Sequence, residues 1–301
     1  MTEPLALPLI DAHQHFWDPV SHSYPWLCDE PRPPHRYGDH QAICRPYLPA
    51  EYRRDTAAFE LAGSVYVEAE WDPQDPLGEM RYIEGLRQQS GLPTVAVGQA
   101  WLDRPEVAST LEKLAAFDFV RGVRHKPRAN ASPRDSAPGG MSDPAWRSGY
   151  DLLARYGLHF ELQTPWWHLP EAALLARDFP GTRLIINHAG MPSDRSAAGL
   201  AGWRQAMRQI AQCPNVAVKI SGIGLAGGRW SATENRQVAR DTIELFGTDR
   251  CMFGSNFPVD SLCASFKDIF DGFASIVADL SATEQRQLFH DNALRLYDMH
   301  R

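Results

Sequence analysis

Ile10-Asp11-Ala12-His13-Gln14-His15 ends an apolar run (Leu5–Ile10) with two imidazoles placed two positions apart. On a strand, alternate side chains share a face, so His13 and His15 stand side by side, about 6–7 Å apart along the backbone. Two neutral imidazoles aimed at one point can hold a divalent cation, or one can pass a proton while the other binds substrate. A plainer reading fits the same residues: one histidine closes a loop and the other is a satisfied, half-buried side chain. The rest of the chain decides between them.

Short β-branched or aromatic runs like this one recur along the sequence. Strands are predicted at Leu7–Ala12, Gly63–Glu70, Thr94–Trp101, Val120–His125, His159–Gln163, Arg183–His188, Val216–Ser221 and Met252–Asn256. Amphipathic segments fill the gaps at 49–60, 76–90, 105–117, 144–156, 168–179, 199–212 and 234–246, with 265–276 and 283–298 after the last strand. Several open with helix-cap chemistry, such as Ser142-Asp143-Pro144, or Ser281 three residues before Glu284. Eight strands alternating with helices predict a parallel sheet closed into a (β/α)8 TIM barrel, a single domain over residues 1–301. No strand is followed by GxGxxG or GxxxxGK[ST], which removes the main support for a dinucleotide or P-loop site. The proline-rich loop 17–48 carries Trp17, Tyr24, Trp26 and Tyr47, too aromatic for a linker. It reads as a packed cover over the barrel mouth or as a loop shielding the barrel edge.

Composition narrows the partners. The 301 residues are 44% hydrophobic and 22% charged, with a net charge of −7. With no long basic run, nucleic acid and anionic membranes are poor partners, and a small-molecule substrate is the expectation. No stretch approaches the length of a membrane span. The N-terminal residues lack the basic and apolar regions of an export signal, and the five cysteines (28, 44, 213, 251, 263) show no CxxC spacing. Both features predict a cytoplasmic protein with reduced thiols. Charge and composition allow a monomer or a homodimer.

A barrel places functional groups at the C-terminal ends of its strands. Polar side chains do recur there: His13 and His15, Glu68 and Glu70, Arg124-His125-Lys126 with Arg128, Glu161 and Gln163, Asn187-His188, Lys219 and Ser221, and Asn256 with Asp260 beyond. Each also has a structural reading. The glutamates can form strand–helix ion pairs, His125 can pack on the rim, and Lys219 can be a buried ion-pair partner. His188, after Leu184-Ile185-Ile186-Asn187, is hardest to read as structural.

The segment Ile10–Asp18 (IDAHQHFWD), with Tyr24-Pro25-Trp26, resembles the lactonase-type branch of the amidohydrolase superfamily. That branch includes L-fuconolactonase, L-rhamnonolactonase and 2-pyrone-4,6-dicarboxylate lactonase. Gly122–His125, Ile186–Gly190, Asn215–Gly222 and Phe253–Pro258 resemble it too, in the same order. The resemblance implies a barrel hydrolase that opens a sugar-acid or carboxylated lactone by attack of activated water. It places His13, His15 and His188 at site positions and sets Arg124 and Arg128 to grip the substrate. His125, Glu70 and Trp17 are further binding candidates. The strand-8 signature of the branch carries an aspartate where this chain has Asn256, and neutral Asn256 cannot accept a proton at pH 7. Metal-using relatives carry a histidine where this chain has Gln163. A divalent metal such as zinc would therefore rest on His13, His15 and Glu70, or be absent, as in several members of the branch. His188 is the leading candidate for the base, with Glu68, Glu70 and Asp260 as alternatives. Decarboxylation or hydration of an unsaturated acid on the same scaffold, and binding of an acidic metabolite without turnover, are the competing functions.

Overall fold

The computed structural model describes residues 7–225 and 227–300; the extreme N-terminus, on which the export-signal expectation rests, lies outside them. Eight parallel strands pair in sequence order: β1 (Leu9–Gln14), β2 (Leu61–Val67), β3 (Val95–Gln99), β4 (Val120–Arg124), β5 (His159–Leu162), β6 (Leu184–Ile186), β7 (Val216–Ile220) and β8 (Cys251–Phe253). A short helix, α1 (Pro25–Cys28), sits in the long first loop. One helix then follows each strand: α2 (Pro49–Asp55), α3 (Gly78–Ser90), α4 (Val107–Ala115), α5 (Pro144–Arg155), α6 (Leu169–Asp178), α7 (Ala197–Ile210), α8 (Ala232–Phe246) and α9 (Phe266–Ile276). The helix predicted at 283–298 is broken into α10 (Ala282–Arg286) and α11 (Asn292–Leu296) by a π-helical turn at Gln287–Asp291.

Helix α9 shows how sequence becomes packing. Ser265 caps its start by accepting from the backbone N–H of Asp268. Phe266, Ile269, Phe270, Phe273 and Ile276 recur at helical spacing and are all buried. Phe273 stacks on Phe253 of β8 at 4.4 Å between ring centroids. Each such side chain contributes about 1.5–3 kcal/mol by leaving water. Inside the barrel, Ile10, Val65, Val67, Val95, Val97, Ile185 and Met252 form a second core, sealed below by Leu296 and Tyr297.

The ring closes between β1 and the segment after β8. Asn256 donates its backbone N–H to the His13 carbonyl and His15 donates to that of Phe257, both at 2.7 Å. Buried Asp11 clamps this seam, accepting from Ser255 N–H (2.8 Å), Ser255 Oγ (2.6 Å) and Tyr52 of α2 (2.9 Å). Asp11→Ala would strand these buried donors, and a loss of about 2–4 kcal/mol is expected in urea unfolding. An unchanged midpoint would show that the clamp is dispensable.

Two expectations need correction. Plain alternation fails in β1, because Asp11 pairs with Ser64 but Gln14 with Tyr66. The extra residue is a bulge, and it re-aims the side chains that follow. Nor are all five cysteines reduced: Cys28 and Cys44 form a disulfide, with Cα atoms 5.7 Å apart. Loop 17–48 folds back on itself between α1 and a 3-10 turn at Gln41–Ile43, bringing together two cysteines that no CxxC motif links. Cys213, Cys251 and Cys263 are free thiols. Among the described residues, no helix is long and apolar enough to cross a membrane.

Candidate active site

Six strand ends and the long loop line one cavity of about 210 Å³ at the C-terminal mouth. His15 follows β1, Glu70 follows β2, Arg124 ends β4 and Lys126 lies just beyond it. Gln163, His188 and Asn256 follow β5, β6 and β8. The loop contributes Trp26, His35 and Arg36 to the lining. Its indole and backbone contacts hold it there: Trp26 Nε1 donates to the Ala69 carbonyl at 2.7 Å.

Backbone strain concentrates at these same strand ends. Glu70, His188, Ala189, Met191 and Asn256 all have φ between +49° and +58°. That region disfavours residues with a Cβ, each by about 1–2 kcal/mol, and such strain is typically retained where function fixes a side-chain direction.

Three imidazoles meet below the cavity. The His13 ring lies 5.1 Å from that of His15 and 4.6 Å from that of His188, centroid to centroid. His15 Nδ1 sits 2.7 Å from the Val67 carbonyl, which fixes its proton there. His188 Nδ1 lies 3.0 Å from Ser221 Oγ. Both ring nitrogens of His13 are buried with no hydrogen-bond partner among the described residues. Burial keeps all three neutral, helped by nearby cations. Desolvation, then Arg124, takes His15 down to about 3. Desolvation followed by Lys219 does the same for His13, and desolvation followed by Arg36 and Arg124 for His188, each well below the usual range.

The charged groups are paired with care. Arg124 forms a buried ion pair with Glu68 and also donates to Gln163 Oε1 at 3.0 Å. Lys126 pairs with Glu70 at the rim. Asp260 is buried behind Asn256, accepting from Asn256 Nδ2 (2.6 Å) and from Tyr37 (3.0 Å), with Arg36 at 3.8 Å. Burial pushes its carboxyl up to about 6. Deeper in the barrel, Glu161 binds Lys219 Nζ at 2.8 Å and accepts from Tyr297 and Asn187.

Among the sequence candidates, His15, His188, Asn256, Arg124 and Glu70 face the cavity, with His13 and Asp260 directly behind. Three lie elsewhere. Half-buried His125 accepts at Nδ1 from the backbone N–H of Leu102 and from Trp146 Nε1, contacts that lie within the fold and not in the cavity. Arg128 is exposed and donates to the Pro138 carbonyl. Trp17 is fully buried and donates to the Ile43 and Arg45 carbonyls. Sequence reasoning missed His35 and Arg36. Their only signal was membership of the aromatic loop, which carries several other charges.

The donor set does not suit a resident zinc ion. Among the described residues, no three His, Cys, Asp or Glu side chains converge in metal-binding geometry. Glu70 is committed to Lys126, neutral amides occupy positions 163 and 256, and Arg36, Arg124 and Lys126 line the same cavity.

The buried imidazoles predict acid sensitivity. His13, His15, His125, His159 and His188 have lowered pKa values, all with burial as the leading cause. They stay neutral in the fold but gain protons once unfolded, so stability falls as pH drops below about 6.5. Burial raises Asp11, Asp260 and Glu79, which shifts stability the opposite way on acidification. The imidazoles are more numerous. Urea unfolding at pH 5.5 is expected to give lower stability than at pH 7.5, by about 1.4 kcal/mol per pH unit for each unmatched imidazole. Equal stability at the two values would contradict this.

Known proteins resemble this chain along nearly its whole length. Residues 10–299 match the amidohydrolase family model. The uncharacterized protein y4mH of Sinorhizobium fredii is 37% identical over 294 residues, covering 97% of this chain and 98% of that protein. An L-fucono-1,5-lactonase of Burkholderia multivorans is 29% identical, with 96% of this chain and 95% of the relative aligned. A crystal structure of an amidohydrolase from Burkholderia multivorans with bound zinc superposes with a TM-score of 0.80 at 26% identity, covering 97% of this chain and 99% of that one. Barrel, mouth cavity, strand-end histidines and full-length similarity agree: the chain belongs to the amidohydrolase family.

Proposed function

We propose that the protein hydrolyses a lactone of a sugar acid or a carboxylated lactone. The observation that carries this reading is a cluster of neutral imidazoles beneath a cavity walled by Arg36, Arg124 and Lys126. Such a site binds an anionic or hydroxyl-rich ester and can move a proton beside its carbonyl. Similarity to an L-fucono-1,5-lactonase supports the same class.

His188 is the proton carrier in this reading. With Nδ1–H donated to Ser221, Nε2 takes a proton from water, and the hydroxide adds to the lactone carbonyl carbon. Arg124, which faces the cavity, stabilises the resulting oxyanion. The ring C–O bond then breaks, and His188 returns the proton to the leaving alkoxide. In the free protein burial, and after it Arg36 and Arg124, hold His188 down. A substrate carboxylate bound to those cations cancels part of their field, so His188 becomes a stronger base as the substrate arrives. Lys126 and Arg36 take the gripping role first expected of Arg128. Asp260 orients Asn256, whose amide donates to it.

An indicator assay over neutral and carboxylated lactones tests the proposal. Wild type is expected to release acid from at least one. Asn256→Asp is expected to lose activity, because it sets a second carboxylate against Asp260 where a donor stood. Wild type inert on the whole panel, with Asn256→Asp active, would overturn the reading.

A further inference from the structure

The mouth cavity has a neighbour on the Arg36 and Met191 side. A second lobe of about 180 Å³ shares Arg36 and Met191 with the first, and Pro192, Ser193, Arg195 and Ile223 line its far side. Gly222 lines this second lobe at φ +56°, packed against two residues of the first. A Cβ there would lie 2.4 Å from His188 Nδ1 and 2.8 Å from Arg36 Nη2, so only glycine lets these two side chains sit where they do.

Arg195 is the unusual member of this lobe. Its Nη2 donates to the Ile223 carbonyl (3.2 Å) and to Asn235 Oδ1 (3.3 Å), which anchors the guanidinium. Its Nη1 is buried with no hydrogen-bond partner among the described residues. Among the described residues no carboxylate lies within ion-pair distance of Arg195, and Glu234 is already held by Arg229. A guanidinium nitrogen withdrawn from water normally faces a counter-charge, and none among the described residues is within ion-pair distance here. The neighbouring Tyr37 hydroxyl is engaged by Asp260 and the Gly224 N–H.

We propose that this lobe is a carboxylate subsite, built on Arg195 with Arg36 at its entrance, for an acid group at the end of the substrate remote from the reacting carbonyl. Pro192 and Ile223 supply an apolar wall for the intervening carbons, and the guanidinium fork suits a planar carboxylate. The inference rests on the lactone reading for what lies in the first lobe. It selects, among lactones, those bearing a carboxylate far enough from the carbonyl to reach Arg195.

Calorimetric binding of unreactive probes tests the subsite apart from turnover. Glutarate, adipate and pimelate are compared with the monocarboxylates of equal chain length. In wild type, at least one diacid is expected to bind about tenfold tighter than its monoacid partner. Arg195→Met is expected to erase that preference. Ser193→Glu places an internal carboxylate in the lobe from an exposed position and is expected to erase it with the fold intact, which decides the matter if Arg195→Met is destabilised. Equal binding of diacids and monoacids by wild type, or a preference that survives Ser193→Glu, overturns the proposal. Because no bond is broken, this result stands whether or not lactones are hydrolysed.

Discussion

Replacement of His188 by glutamine is expected to lower kcat on a responsive lactone by about 10²- to 10⁴-fold, the range for loss of a positioned acid–base group. KM is expected to move little, because the gripping cations Arg36, Arg124 and Lys126 remain. Stability is expected to hold. Ser221 is the polar group within hydrogen-bond distance of His188, and a neutral amide can replace that contact. Steady-state kinetics with parallel urea melts separates the outcomes. A rise in KM at unchanged kcat would make His188 a binding group and remove it from the proton path. A kcat within threefold of wild type would move the base elsewhere, with Asp260, at about 6, as the next group to examine.

The largest stability effect is expected at Lys219. Its ammonium and the Glu161 carboxylate are both fully buried and 2.8 Å apart. Burial pulls Lys219 down to about 8. Burial also pushes Glu161 up, but Lys219 outweighs it and holds the carboxyl at about 2. Lys219→Met leaves that carboxylate in the barrel with only Tyr297, Asn187 and His159 around it. Breaking a buried pair by removing one partner typically destabilises by about 3–5 kcal/mol. The double variant Lys219→Met/Glu161→Gln removes both charges and is expected to recover most of the loss, since replacing the whole pair is often close to neutral. Urea unfolding of both variants reads the difference. If the double variant is as unstable as the single one, volume and packing at Lys219 matter more than charge.

The sequence made the barrel legible because each strand is a short apolar run and each helix carries its own cap and apolar stripe. Those signals are local. All eight predicted strands appear, and polar side chains at six of their C-terminal ends line the mouth cavity. The failures occurred where distant segments meet. His125 sits at a strand end, but its Nδ1 is taken by Leu102 and Trp146, residues far along the chain. Arg128 was two residues past the useful position, in a turn that directs it to Pro138. Arg36 reaches Asp260 across more than two hundred residues of sequence, and the loop around it has no periodicity to show which charge points inward. The Cys28–Cys44 pairing belongs to the same class, since it follows from how that loop folds back. The substitution of Asn256 for the expected aspartate was visible in sequence. That its amide would be claimed by Asp260, one turn later, was not.

The central claim is that water, activated beside His188, attacks the carbonyl of a lactone. Turnover of a carboxylated lactone in ¹⁸O-labelled water, with the product read by mass spectrometry and the headspace by gas analysis, tests it most directly. The account predicts one label per product, carried in the newly formed carboxylate, with no carbon dioxide released. Carbon dioxide release, or a product whose new carboxylate carries no label, would contradict it.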